Sequence, residues 1–137
     1  MTANSKHAPA AVARVLIVDD EAKLRESLAE GLRLEKWDIL TAGSAAEAIR
    51  LIEAEKLDLL VLDWMLPDGD GIDVLRRMRT SGIKLPVLMI SARVARRDVS
   101  IALANGATEF LAKPFAFGDL LARCSALLAA DGPRRGS

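Results

Sequence analysis

The sequence predicts an α/β protein built on a doubly wound, five-stranded parallel sheet with helices on both faces. Three observations carry that prediction. Short apolar runs alternate five times with stretches of helical spacing, the pattern of βα units joined by right-handed crossovers. One run, Leu59–Leu62, is unbroken between Asp58 and Asp63, as suits a strand covered on both faces. The runs also stop at polar residues, and an open parallel sheet binds its ligands outside the carboxyl ends of its strands.

Met1 to about Ala11 is Ala-rich and polar and reads as a leader, placed at 1–12, in which His7 has no second ligand type nearby. Ala13–Val18 is the first strand and stops at Asp19-Asp20. From Glu21 the spacing turns helical, with Leu24, Leu28, Leu32 and Leu34 among charges. Trp37–Ala42 is the second strand. Ser44, followed three residues on by Glu47, has the capping-box arrangement of a helix start, and Ala48, Leu51 and Ile52 form that helix's apolar face.

Leu59–Asp63 is the third strand, followed by a Pro67-Asp68-Gly69 loop. Gly71–Thr80 is a third helix with Ile72, Val74, Leu75 and Met78 inward, ended by Ser81-Gly82. Pro86–Ile90 is a strand stopping at Ser91-Ala92. A fourth helix is expected from about Val94 to Ala104, closed by Asn105-Gly106 as a left-handed cap. Thr108–Ala112 is the fifth strand, Lys113-Pro114 follows, and Phe117 to about Ala130 is the last helix. Residues 131–137 read as a loose tail or a truncated linker. The flavodoxin-like strand order 2-1-3-4-5 sets strands one, three, four and five side by side.

The 137 residues suffice for one domain with a real core, and 51% of them are hydrophobic, with mean hydropathy +0.21. Nineteen basic residues balance 19 acidic ones, so no global field recruits nucleic acid or an anionic membrane. No apolar run is long enough to span a bilayer, and no signal-peptide core opens the chain. Cys124 is the single cysteine, which excludes an internal disulfide and suits a small apolar position in a cytoplasmic protein.

The strand ends hold the chemistry. They bring together Asp19, Asp20 and Asp63, with Ser91 and Lys113. Two unit charges about 4 Å apart repel by roughly 4 kcal/mol at an effective dielectric of about 20. Three carboxylates therefore share a proton or bind a cation. Hard oxygen ligands of this kind suit Mg²⁺. One aspartate can then act as a nucleophile towards phosphorus, while Lys113 and Ser91 meet the phosphoryl oxygens. Taken singly, each residue has a bland reading: Asp19-Asp20 as a helix cap, Ser91 as a turn residue, Lys113 as a solvated charge. Their joint placement at adjacent strand ends favours the functional one.

Val15-Leu16-Ile17-Val18-Asp19-Asp20-Glu21, Asp63 with Met65-Leu66-Pro67 and Gly69, Ser91-Ala92, and Phe110-Leu111-Ala112-Lys113-Pro114-Phe115 resemble the response-regulator receiver domain of two-component signalling. The resemblance covers roughly residues 13–130. It implies Asp63 as the phosphoacceptor, with Mg²⁺ held by Asp20 directly, by Asp19 through water, by Asp63 and by the Met65 backbone carbonyl. It implies phosphoryl binding by Ser91, the Ala92 backbone and Lys113, and a switch made of Ser91 and Phe110. Lys113-Pro114 resembles the family's cis peptide. Ser91 stands where Thr is commoner, and Phe110 replaces the commoner Tyr.

The implied function is a phosphorylation-dependent switch that takes a phosphoryl group from a sensor histidine kinase or a histidine phosphotransfer protein. It shifts the face made by helix four, strand five and helix five, and acts on an output domain or effector. Such a chain is a switch and not a metabolic enzyme; by itself it needs no nucleic acid and no membrane. Phe117–Arg123 resembles receivers that precede winged-helix DNA-binding domains, which pair through that same face. Glu109 and Arg123 match one of their charged pairs and Asp119 the acid of another. Val99 stands where that acid's basic partner would be, so a weak homodimer on phosphorylation is expected.

Two other classes compete. A haloacid-dehalogenase-like phosphatase needs a second acid two residues after its nucleophile, where Met65 stands. A flavodoxin-like flavin binder needs a Ser/Thr/Gly-rich loop where Asp19-Asp20-Glu21 stands.

Overall fold

The computed structural model describes residues 12–131. The expected leader, Val12 apart, and the tail beyond Asp131 lie outside the described residues. In chain order the elements are β1 (Arg14–Val18), α1 (Ala22–Arg33), β2 (Asp38–Ala42), α2 (Ala45–Ala54), β3 (Leu59–Asp63), β4 (Met65–Leu66), β5 (Gly69–Asp70), α3 (Gly71–Thr80), β6 (Val87–Ser91), α4 (Arg96–Ala104), β7 (Glu109–Ala112) and α5 (Phe117–Asp131).

The main sheet runs β2-β1-β3-β6-β7, all parallel. This is the expected 2-1-3-4-5 once the two-residue strands β4 and β5 are set aside. Those two pair antiparallel, so the loop after Asp63 is a small hairpin turning at Pro67-Asp68.

Every residue of β3 is buried, as its unbroken apolar run requires. Its side chains divide between two cores. Leu60 and Leu62 join Leu16, Val18 and Met89 beneath Ile52 of α2, Leu75 of α3 and Ala102 of α4. Leu59 and Val61 join Val15, Ile17, Leu88 and Ile90 beneath Leu28 and Leu32 of α1 and Leu120 and Cys124 of α5. Each such Leu or Ile contributes about 2 kcal/mol by leaving water. Cys124 is wholly buried, and burial pushes its thiol up to about 12, so it behaves as the expected small apolar residue.

The helix starts differ in how they are satisfied. Ser44 Oγ accepts the Glu47 N–H at 3.2 Å, and the Glu47 carboxylate reaches back to the Gly43 N–H at 3.0 Å, one residue before the usual capping-box partner. Asp70 caps α3 by accepting the Ile72 N–H. α4 begins at Arg96, two residues inside the approximate start at Val94: Ala95 is extended and offers no side-chain cap, and Val94 is exposed. Gly106 closes α4 with φ +109° while the Arg79 side chain packs against it, so the left-handed cap is as read from the sequence.

Candidate functional site

Backbone ladders continue past the strand ends and fix the residues there. The Asp19 N–H bonds to Ala42 O, the Trp64 N–H to Ile90 O, and the Lys113 N–H to Ser91 O. With Asp63 opposite Ile90 and Ser91 opposite Ala112, the residues beyond β1, β3, β6 and β7 converge at one edge of the sheet.

There, one carboxylate oxygen each from Asp19, Asp20 and Asp63 lies within 4.8 Å of the others. Asp19 is wholly buried, Asp63 is 6% exposed and Asp20 is exposed. Lys113 Nζ donates to Asp19 Oδ2 at 2.9 Å and to Asp63 Oδ2 at 3.0 Å. Asp19 Oδ1 accepts the Glu21 N–H at 2.9 Å, so Asp19 also performs part of the bland role of holding the helix start. The Met65 N–H turns back to Asp63 Oδ1 at 3.4 Å, while the Met65 side chain is exposed. Lys113-Pro114 is cis, as the resemblance implied.

Burial raises the Asp63 pKa, and the charge of Asp19 adds to the rise; the hydrogen bonds from Lys113 and Met65 oppose it without cancelling it. Burial alone would lower Lys113, but its hydrogen bonds to Asp19 and Asp63 and their charges outweigh that and raise it. One ammonium thus faces three carboxylates. The donor set is all hard oxygen, with surplus negative charge, and fits a small divalent cation such as Mg²⁺.

Ser91 is 1% exposed, and its Oγ accepts the Arg93 N–H at 2.9 Å, with Ala92 exposed between them. Phe110 is half-buried and meets Trp64 edge to face, ring centroids 6.4 Å apart. Asp19, Asp20, Asp63 and Lys113 thus form one cluster, Ser91 and Ala92 lie at the adjoining strand end, and Phe110 meets Trp64, the residue after Asp63.

Three positioning residues escaped the sequence reading. Arg25 of α1 donates to the Asp19 carbonyl at 2.7 Å and lies against Gly43, where a Cβ would come 2.9 Å from its Nη1. Asp68 accepts both the Ala45 and Ala46 N–H groups, at 2.7 and 3.0 Å, tying the hairpin to the start of α2. The Gly71 N–H bonds to Trp64 O at 2.6 Å, and a Cβ on Gly71 would stand 2.5 Å from the Asp63 carbonyl oxygen. Gly71 thus permits the tight return behind the central carboxylate. Its only sequence signal is that a glycine opens a helix.

Residues 15–125 match the family model for the response regulator receiver domain. Over 118 residues the chain is 41% identical to the probable transcriptional regulatory protein TcrX of Mycobacterium tuberculosis, covering 86% of this chain and 50% of that protein. Over 120 residues it is 40% identical to the response regulator MprA of Mycobacterium avium, covering 88% and 53%. The chain spans about half the length of the curated relatives it matches. Among solved structures, the receiver domain of Francisella response regulator 1452 superposes with a TM-score of 0.84 at 30% identity, covering 87% of this chain and 98% of that one. A CheY-like receiver protein of Methanospirillum hungatei gives 0.83 at 27% identity, covering 88% and 96%.

Proposed function

Because the chain belongs to the response-regulator receiver family, we propose that it is a switch whose Asp63 accepts a phosphoryl group from a phosphohistidine on a sensor kinase or phosphotransfer protein. The observation that carries this reading is the Lys113 ammonium bridging Asp19 and Asp63 at 2.9 and 3.0 Å. Lys113 orients the central carboxylate and stands ready to neutralise charge that arrives on it.

In the transfer, an Asp63 oxygen forms the new O–P bond while the P–N bond of the donor breaks. The imidazole nitrogen keeps that electron pair. Lys113 Nζ, the Ser91 hydroxyl and the Ala92 N–H donate to the phosphoryl oxygens. Asp19, Asp20, Asp63 and the Met65 carbonyl are the residues that would hold Mg²⁺, which when bound offsets the clustered negative charge. Met65 supplies no general acid beside Asp63, so the acyl phosphate outlives a phosphatase intermediate and the protein signals instead of turning over substrate.

The phosphoryl group, carrying about −1.5 to −2 in place of the single carboxylate charge, draws Ser91 inward, and Phe110 turns after it. That reshapes the face of α4, β7 and α5, with a coupling of about 1–3 kcal/mol. Glu109 and Arg123 pair with each other at 3.1 Å within one chain, while Val99 stands where the basic partner of Asp119 would be. Any phosphorylation-dependent dimer is therefore weak; sedimentation of a tight activated dimer through that face would contradict this.

We assign 13–130 as the receiver unit, with Asp131 closing its last helix. An output domain or effector takes the signal, in keeping with the relative described as a probable transcriptional regulatory protein. Among the described residues no helix is long and apolar enough to cross a membrane, and a cytoplasmic site fits the buried thiol.

Incubation with acetyl phosphate and MgCl₂ tests the proposal. One phosphoryl group per chain is expected, lost with EDTA and absent in Asp63→Asn. Full labelling of Asp63→Asn would refute it.

A further inference from the structure

Two side chains beside the cluster take no part in the chemistry above. Trp64, directly after Asp63, is 3% exposed, and its indole Nε1 is a buried polar atom without a partner. Arg93, two residues after Ser91, lays its guanidinium over that ring, 4.6 Å from the centroid. Its Nη2 donates at 3.2 Å to Asp98 Oδ1, a carboxylate only 11% exposed in the first turn of α4. The backbone N–H of the same residue holds Ser91 Oγ, and Ser91 makes no hydrogen bond to Asp63.

We propose that Arg93 is a positioning residue that latches the segment 91–95 in its resting conformation, with Trp64 as its seat and Asp98 as its anchor. This rests on the reading of Asp63 as phosphoacceptor.

The logic is geometric. Ser91 Oγ can move towards a phosphoryl group on Asp63 only if it leaves the Arg93 N–H. That N–H is fixed by a side chain held at two points, over Trp64 just beyond β3 and at Asp98 on α4. Phe110 meets the same indole. A change at either switch residue therefore reaches the other through Trp64, and the latch opposes both changes at once. A ligand or modification shifts a two-state equilibrium only by what it gains in one state over the other. Contacts present only in the resting state must be given up in that shift.

The test uses the full chain in a Trp37→Phe background, so that emission reports Trp64 alone. Arg93→Ala should raise acrylamide quenching of Trp64 about threefold, since the ring loses its cover. It should also speed acetyl phosphate labelling of Asp63 with Mg²⁺ about fivefold at unchanged stoichiometry, or about 1 kcal/mol at about 1.4 kcal/mol per tenfold. Arg93→Lys keeps a charge for Asp98 but loses the planar stack, and should fall between. Asp98→Asn releases the anchor without touching the ring, and should speed labelling about twofold; it decides the matter should Arg93→Ala fail to fold.

Exposure of Trp64 with labelling at or below the wild-type rate would mean that the stack is packing alone, and would overturn the latch. If the wild type is not labelled, the acceptor reading falls and the latch with it. Wild-type labelling with unaltered rates in both variants removes the latch and leaves the acceptor.

Discussion

The Lys113 ammonium lies 3.0 Å from the Asp63 carboxylate, across 50 positions of sequence. It reaches there because the Lys113 N–H extends the β7 ladder onto Ser91 O and holds the following backbone beside β6. The same ammonium contacts Asp19, so removing it leaves repelling acids, two of them buried, without their cation.

Lys113→Ala should therefore lower stability in the absence of divalent cations. Loss of one partner from a buried pair costs about 3–5 kcal/mol; with Lys113 itself 23% exposed, about 1–3 kcal/mol is expected after allowing for screening. Combined with Asp63→Asn, the two changes should be non-additive by about 0.5–3 kcal/mol. Urea titrations of the four proteins measure this coupling. Strict additivity would mean that the bridge has no energetic content.

Two aspartates should give opposite pH signatures. The Asp63 pKa is raised by burial, so its ionisation opposes folding: its stability contribution is intact below the unfolded value, near 3.8, and is lost as pH rises through the folded value. Asp63→Asn should thus be the more stable protein at neutral pH without metal, the advantage closing in acid. Asp68 is held low by the Ala45 and Ala46 N–H groups, so its contribution is present above the unfolded value and lost as pH falls. Asp68→Asn should be the less stable protein at neutral pH, that deficit also closing in acid. Thermal melts from acid to neutral pH read both signs, and like signs would show the electrostatics misassigned.

The indole next to Asp63 should report the cation. Adding Mg²⁺ changes the charge beside Trp64 and the packing of the hairpin, so its emission should follow a saturable curve that Asp20→Ala abolishes. Trp37, half-buried against the core of α1 and α5, should contribute little. Emission unchanged while calorimetry records binding would place Trp64 outside the site's influence.

Gly71→Ala should be costly for a small change. A methyl group there meets the Asp63 carbonyl oxygen at 2.5 Å and Trp64 Cα at 3.0 Å. Forcing backbone apart in a packed region costs about 1–3 kcal/mol. Mg²⁺ affinity should fall too, because the Asp63–Met65 turn shifts. A variant with wild-type melting and metal affinity would show that the return behind Asp63 has slack.

Most of the fold was legible because each apolar run of a parallel sheet ends where its chemistry begins. The end of Leu59–Leu62 located Asp63, and the end of Val15–Val18 located Asp19 and Asp20. What was not legible depends on contacts between distant segments. Asp68 looks like turn punctuation until α2 is brought against it, and Arg25 like one of many helix charges until its guanidinium meets the Asp19 carbonyl. Arg93 gave no sign of its seat on Trp64, since neither residue breaks a local pattern. The start of α4 is legible only to within two residues, because Val94 and Ala95 read as helical while neither can cap.

Borohydride reduction of the protein after acetyl phosphate treatment tests the central claim most directly, since it converts an aspartyl phosphate to homoserine at the modified position. Peptide mass spectrometry should find homoserine at Asp63 alone, with Asp19 and Asp20 intact. Homoserine at Asp19 or Asp20 with Asp63 unmodified would contradict the assignment of the acceptor.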